Sequence, residues 1–130
     1  MCDAPHILVL EDRADTAHAL EHLLKRAGYR VTTAGTLARA REAVGQCAFD
    51  LAIADLDLPD GSGMDLLPAL HRRFRPTPAI ALTGYDDAAA SYAAGFAEHL
   101  TKPIEFADLL AIIARLIDRR RGPSANPPAR

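Results

Sequence analysis

Five short apolar runs, each followed by residues that recur at helical spacing, constrain this 130-residue chain more than any other feature. Strands buried on both faces of a parallel sheet read as continuous apolar runs, whereas amphipathic helices repeat their apolar residues every three to four positions. The first run, His6–Leu10, is closed by Glu11-Asp12, and Leu20, Leu23, Leu24 and Ala27 then repeat as far as Gly28. Residues 30–34 make a second, weaker strand, after which Thr36 can cap a helix carrying Leu37, Ala40 and Val44 on one face. A third run, Leu51-Ala52-Ile53-Ala54, ends at Asp55. Beyond the turn Asp60-Gly61-Ser62-Gly63, the residues Leu66, Leu67, Leu70 and Phe74 predict a third helix, with Pro68 tolerable only near its first turn. Residues 78–83 predict a fourth strand, and Asp86 a cap for an alanine-rich helix that runs to Ala94 and stops at Gly95. A fifth strand over 98–101 precedes Lys102-Pro103, and Phe106, Leu109, Leu110, Ile113, Leu116 and Ile117 form the clearest helical stripe.

Strands alternating with helices through five cycles imply an α/β fold, a parallel sheet with helices on both faces. The length suits one domain, expected over 5–121, with 122–130 as a flexible proline-rich tail or the start of a linker. Hydrophobic residues at 49% and charged residues at 25% mark a globular rather than a disordered chain. A formal net charge of −2 gives no general reason to expect direct nucleic-acid binding, and Arg119-Arg120-Arg121 reads as a solvated helix end suited to its dipole. No apolar segment approaches membrane-spanning length, and no signal-peptide pattern follows Met1, so a cytoplasmic location without membrane association is expected. Cys2 and Cys47 lie outside metal-ligand spacing, and Cys47, in register with Ala40 and Val44, is expected as a small core residue.

Parallel topology places the carboxyl ends of all strands on one edge, where open α/β sheets gather their reactive groups. Glu11, Asp12, Asp55, Thr83 and Lys102 all follow strands and are therefore expected to converge. Three crowded carboxylates repel one another unless a cation neutralises them. Oxygen-only ligands, with no His or Cys at these strand ends, favour Mg²⁺ over zinc. Lys102 adds a compact positive charge and Thr83 a hydroxyl, suited to the oxygens of a phosphoryl group. Asp55 would be the in-line nucleophile, since an ionised carboxylate needs no general base to attack phosphorus, and the product would be an acyl phosphate.

The stretches Ile7-Leu8-Val9-Leu10-Glu11-Asp12, Asp50 through Gly63 with Asp55-Leu56-Asp57-Leu58-Pro59-Asp60-Gly61, Ala81-Leu82-Thr83-Gly84, and His99-Leu100-Thr101-Lys102-Pro103 resemble, in order and spacing, a two-component response-regulator receiver domain. The resemblance runs from about His6 to Ile117 and implies the flavodoxin-like strand order 2-1-3-4-5. It further implies that Asp55 is the phosphoacceptor, that Glu11, Asp12 and Asp55 hold Mg²⁺ with the backbone carbonyl of Asp57, and that Thr83 and Lys102 contact the phosphoryl. A cis peptide between Lys102 and Pro103, which aims the lysine, comes with the same likeness. The donor would be a phosphohistidine on a sensor histidine kinase or a histidine phosphotransfer protein. The domain would promote only its own phosphorylation and slow dephosphorylation, signalling through a changed surface rather than a product. Where the family carries Tyr or Phe on the fifth strand this chain has His99, smaller and titratable, which leaves two readings equally open: a weakened, altered or pH-sensitive switch, or a partly exposed strand histidine with no switching role. Tyr85 and Asp57 occupy positions that in the family lie near the path of attacking water, and would tune phosphate lifetime. The fourth helix, fifth strand and fifth helix, with Ala88, Ala89, Ala90 and Ala93, offer a smooth face for a homodimer. With no output segment after Ile117, the expectation is a stand-alone receiver, the N-terminal piece of a regulator, or a receiver from a hybrid kinase.

Three rival readings come from the same residues. Asp55-Leu56-Asp57 matches the D-x-D of phosphohydrolases that work through an aspartyl phosphate, although theirs follows the first strand rather than the third. His18-Ala19-Leu20-Glu21-His22 fits a zinc-peptidase pattern, but Leu20, Leu23 and Leu24 claim the inner face and leave both histidines outside. Gly61-Ser62-Gly63 is too little glycine, after the wrong strand, for a dinucleotide or flavin module.

Overall fold

Aliphatic strands that must bury both faces and helices with one apolar stripe have few ways to satisfy one another, and the chain adopts the layered solution. The computed structural model describes residues 4–56, 58, 60–72, 76–84 and 88–121. Its elements in order are β1 (His6–Leu10), α1 (Ala14–Arg26), β2 (Arg30–Ala34), α2 (Leu37–Gln46), β3 (Leu51–Asp55), a 3₁₀ turn (Gly63–Leu66) leading into α3 (Leu67–His71), β4 (Ala79–Thr83), α4 (Ala88–Ala94), β5 (Glu98–Thr101) and α5 (Phe106–Arg121). All strand pairs are parallel, in the order β2-β1-β3-β4-β5. The expected strand-helix alternation and strand order are both present.

Alternation along each strand sorts the core into two clusters. Ile7, Val9, Leu51, Ile53, Ile80 and Leu82 meet Leu20 and Leu24 of α1 and Leu109, Ile113, Leu116 and Ile117 of α5. On the other face β3 and β4 present small residues, Ala52, Ala54, Ala79 and Ala81, and the bulk comes from Leu8 and Leu10 of β1 together with Leu37, Leu66, Leu67, Leu70, Phe49 and Phe96. Complementary volumes of this kind keep packing dense across both layers. Each fully buried leucine or isoleucine contributes about 1.5–3 kcal/mol relative to exposure.

Local chemistry sets the helix ends. Thr36 caps α2 as expected, its side-chain oxygen accepting from Arg39 N at 3.2 Å. Ser62 and Asp65 form a capping box that starts the 3₁₀ turn, and Pro68 then sits in the first turn of α3, where its missing N–H costs nothing. Gly95, at φ +116°, ends α4.

The structure corrects four details. Cys47 is exposed, because α2 ends at Gln46 and the backbone turns extended at Cys47 before its side chain can reach the core. Ala27 is likewise an exposed cap of α1, and the buried stripe extends instead toward the N-terminus through Ala17. Phe106 opens α5 with its side chain 42% exposed rather than in the core. The fourth strand starts at Ala79, one residue later than expected. Cys2, Phe74, Asp86 and the tail over 122–130 lie outside the described residues. Among the described residues no helix is long and apolar enough to cross a membrane.

Candidate functional site

Four strands bring chemistry to the carboxyl edge. β1 is extended by a backbone bond from Glu11 N to Ala34 O at 3.0 Å, which fixes Glu11 just beyond the last core residue. Glu11 is 2% exposed and Asp55, at the end of β3, 3%, whereas Asp12 is exposed. One carboxylate oxygen from each of the three lies within 4.8 Å of the others. The sequence-derived convergence of Glu11, Asp12 and Asp55 is therefore realised.

Lys102 closes the group from the far side of the sheet. Its backbone N–H donates to Thr83 O at 2.8 Å, continuing the β4–β5 ladder past Thr101, and its peptide bond to Pro103 is cis. From there Nζ donates to Asp55 Oδ2 at 3.0 Å and to Glu11 Oε1 at 3.3 Å. Thr83 is buried at the end of β4, one residue beyond Leu82, the register partner of Asp55.

The electrostatics are those of a site short of positive charge. Burial pushes the Glu11 carboxyl above the usual range; the amide of Arg13, 3.1 Å from Oε2, opposes this, the Asp55 carboxyl adds to it, and Lys102 offsets part. Burial pulls the Lys102 ammonium down, but its bonds and charge interactions with Asp55 and Glu11 together outweigh that and raise it. A single lysine does not balance three carboxylates held this close. An oxygen-only cluster of two buried acids and one solvent-facing acid fits a hard divalent cation.

Glycine governs how the next turn approaches. A Cβ placed on Gly63 would lie 2.4 Å from the backbone oxygen of Asp55, so only glycine lets the 3₁₀ turn lie against the end of β3. A cleft of about 300 Å³ opens beside Lys102, between Asp15, Thr16 and Ala19 of α1 and Pro103, Ile104 and Phe106.

Comparison with known proteins agrees with this geometry. The response regulator receiver domain family matches residues 7–114. The chain belongs to this family. The response regulator protein PilR of Pseudomonas aeruginosa is 35% identical over 121 residues, a stretch that covers 91% of this chain and 27% of PilR. The chain thus spans about a quarter of the length of that curated relative. The signal receiver domain of a LuxO repressor protein from Vibrio parahaemolyticus superposes with a TM-score of 0.84 at 27% identity, covering 91% of this chain and 93% of that one. The response regulator TrrA of Thermotoga maritima, solved in complex with Mg²⁺ and BeF, gives a TM-score of 0.77 at 25% identity, with 86% and 98% covered.

The other candidate residues of this receiver distribute unevenly. His99 is half-buried on β5, and its Nδ1 lies 2.7 Å from Oγ of Ser91, a fully buried residue of α4. Its Nε2 lies 3.5 Å from Thr101 Oγ1, so the ring is turned toward α4 and its own strand. Pro103 is exposed, and Asp57 and Tyr85 lie outside the described residues. His18 and His22 are both exposed on the outer face of α1, as expected for a solvated face rather than a zinc site. Reading the sequence alone missed two residues. Ser91 carried a faint signal, a lone hydroxyl within an alanine run. Asp60, expected only as a turn residue, accepts hydrogen bonds from the first two amides of α2, Leu37 N at 2.9 Å and Ala38 N at 3.2 Å, a partnership across 23 residues that no local pattern reveals.

Proposed function

We propose that this receiver accepts a phosphoryl group from a phosphohistidine onto Asp55, with Mg²⁺ held by Glu11, Asp12, Asp55 and the backbone carbonyl of Asp57. The observation that carries the proposal is the Lys102 ammonium shared between Asp55 and Glu11 inside a three-carboxylate cluster. When bound, Mg²⁺ would offset the charge of the carboxylates and supply electrostatic stabilisation to the transferred phosphoryl group.

The chain's own residues supply the rest. One Asp55 oxygen forms the new P–O bond in line with the breaking P–N bond, whose electron pair stays on the imidazole; the ring departs neutral because its other nitrogen already carries a proton. Lys102, already aimed at Asp55, follows the charge onto the phosphoryl oxygens, and the Thr83 hydroxyl donates to another of them. Asp57 and Tyr85 tune how quickly water reverses the step. His99 acts as the switch residue on β5. The cleft beside Lys102 receives the histidine-bearing partner, a sensor kinase or phosphotransfer protein, because it is apolar on the side of Ile104 and Phe106 and is lined by Lys102, whose ammonium is bonded to Asp55. The face of α4, β5 and α5, with Tyr92 exposed and Glu98 ion-paired to Arg115, is the surface for output or for a second copy. Residues 5–121 form the working unit, in the cytoplasm.

Incubation with acetyl phosphate and Mg²⁺ followed by intact-mass measurement tests the assignment. One phosphoryl adduct is expected on the parent and none on Asp55→Asn; an adduct that persists in the variant overturns it.

A further inference from the structure

We propose that Ser91 is a positioning residue for His99 and that the bond between them latches α4 to β5, so that turning the imidazole and loosening the helix are one event; its bearing on output rests on the reading of His99 as the switch residue. Apolar burial holds the other helices, since Leu24 of α1, Leu37 of α2, Leu70 of α3 and Ile113 of α5 each lie in a core cluster. Among the described residues α4 has no such anchor: neither cluster draws on it, and Ala90, Tyr92, Ala93 and Ala94 are exposed. Ser91 is fully buried, and what it buries is a hydroxyl. A short helix whose inward residue is polar gains little from the hydrophobic effect and depends on the bond that residue makes.

That bond is short and reaches the neighbouring strand. Ser91 Oγ lies 2.7 Å from His99 Nδ1, and Thr101 Oγ1 lies 3.5 Å from Nε2. Turning the ring over would set a carbon, Cδ2, against the buried hydroxyl, so the contact fixes the orientation of the imidazole as well as its place. The bond from Tyr92 OH to Glu98 Oε1 also joins α4 to β5, but at 3.4 Å it is long and exposed, and Arg115 holds the other oxygen of Glu98. At its C-terminal end α4 is fixed through the backbone, Phe96 N donating to Ser91 O at 3.1 Å, with the Phe96 ring in the core and Gly95 at φ +116° beside it. Losing the Ser91 side-chain bond leaves the helix free to pivot about that turn. The strand that carries the latch also carries Lys102: His99 pairs in register with Ala81, Thr101 pairs with Thr83, and Thr83 O takes the Lys102 N–H at 2.8 Å. β5 lies at the edge of the sheet, next to β4 alone.

Hydrogen exchange and ring ¹⁵N shifts test the latch in the unphosphorylated protein, comparing the parent, Ser91→Ala, His99→Leu and the double variant. One hydrogen bond of ordinary net strength corresponds to roughly 5-fold to 10-fold in an opening equilibrium, so exchange at the amides of Tyr92, Ala93 and Ala94 is expected to quicken by about that factor in each single variant, with Val9 and Ile53 in the sheet unchanged. The double variant is expected to exchange no faster than the faster single one, because both substitutions remove the same bond. At about pH 8, where a histidine is ordinarily neutral, the His99 ring shifts are expected to move in Ser91→Ala toward those of a solvated imidazole, a signature that lost packing alone would not give. Additive effects in the double variant, equal acceleration at Ile53, or ring shifts that do not move overturn the latch. Labelling the parent with acetyl phosphate and Mg²⁺ tests the link to output: α4 exchange and the ring shifts are expected to move toward the Ser91→Ala values, and to stay put in Asp55→Asn. A labelled parent in which neither moves overturns that link while the latch stands, and a parent that takes no phosphoryl overturns the reading of Asp55 instead.

Discussion

Gly63→Ala is the substitution in which the fold and the proposed phosphoacceptor are most directly opposed. Gly63 does not need glycine for its backbone angles, since the positive φ values in the described chain belong to Gly28, Gly61 and Gly95. It needs glycine for space: the added Cβ would meet the Asp55 carbonyl oxygen at 2.4 Å, the Asp55 carbonyl carbon at 3.1 Å and Ala54 Cβ at 3.2 Å. A close carbon–oxygen contact wants about 3.3 Å, so roughly 0.9 Å must be found by moving the 3₁₀ turn away or the end of β3 with it. Neither neighbour is the free end of a flexible side chain. Overpacking of this kind costs about 1–3 kcal/mol, and near 2 kcal/mol the thermal midpoint of a domain of this size falls by roughly 6–10 °C. Displacing Asp55 by even part of that distance would misalign the proposed phosphoacceptor, for which a loss of about 10-fold to 100-fold in the acetyl phosphate labelling rate is expected. Gly45→Ala is the control. Gly45 is exposed in α2 with open space around it, and alanine there stabilises by about 0.5–1 kcal/mol with the labelling rate unchanged. Urea titration and timed intact-mass labelling measure both quantities. Should Gly63→Ala match the parent in stability within 0.5 kcal/mol, or roughly 0.5 kcal/mol being the scatter of neutral surface changes, and label at the parental rate, the steric argument fails.

Three further outcomes follow from the same geometry. On the proposal that Mg²⁺ binds the folded cluster and not the unfolded chain, a concentration ten times its dissociation constant is expected to raise stability by about 1.4 kcal/mol, a gain that a chelator reverses and that Asp12→Ala abolishes in differential scanning calorimetry. His6 is held below its ordinary value of 6.5, first by burial and then by Arg30, with Asp50 opposing; its contribution to stability is present above 6.5 and lost as pH falls through the lowered folded value, so His6→Gln flattens the decline in urea midpoint between pH 7.5 and 5.5, about one unit either side of the unperturbed histidine value. Ser91→Ala removes the 2.7 Å partner of His99 Nδ1, costing about 1 kcal/mol and leaving the imidazole free to change tautomer, which ¹⁵N shifts of the ring report; unchanged ring shifts would show that the bond does not hold His99.

Much of the architecture was legible because burial writes itself into sequence. Leu51 to Ala54 is buried on both sides and reads as an unbroken apolar run, while Leu37, Ala40 and Val44 repeat because only one side of α2 meets the sheet. The errors fall where an element stops. Cys47 continues the α2 pattern by one turn, but the helix has ended, and no periodicity records that the backbone extends there. Phe106 fails in the same way at the opening of α5, where an apolar residue of the first turn overhangs the cleft beside Lys102. Periodicity describes the middle of a helix well, whereas its ends are decided by individual hydrogen bonds.

The site divides along a similar line. Glu11, Asp55, Thr83 and Lys102 were placed together because each follows a strand, and parallel strands end on one edge whatever their side chains. The groups that hold them could not be found in that way. Asp60 finds its partners 23 residues earlier in the chain, and Ser91 meets His99 only because α4 returns along β5. Both are single polar contacts between elements, with no repeat to announce them. If Ser91 sets the resting state of His99, then two receivers with the same acids, threonine and lysine can differ in switching through a residue that no reading of the strand ends would select.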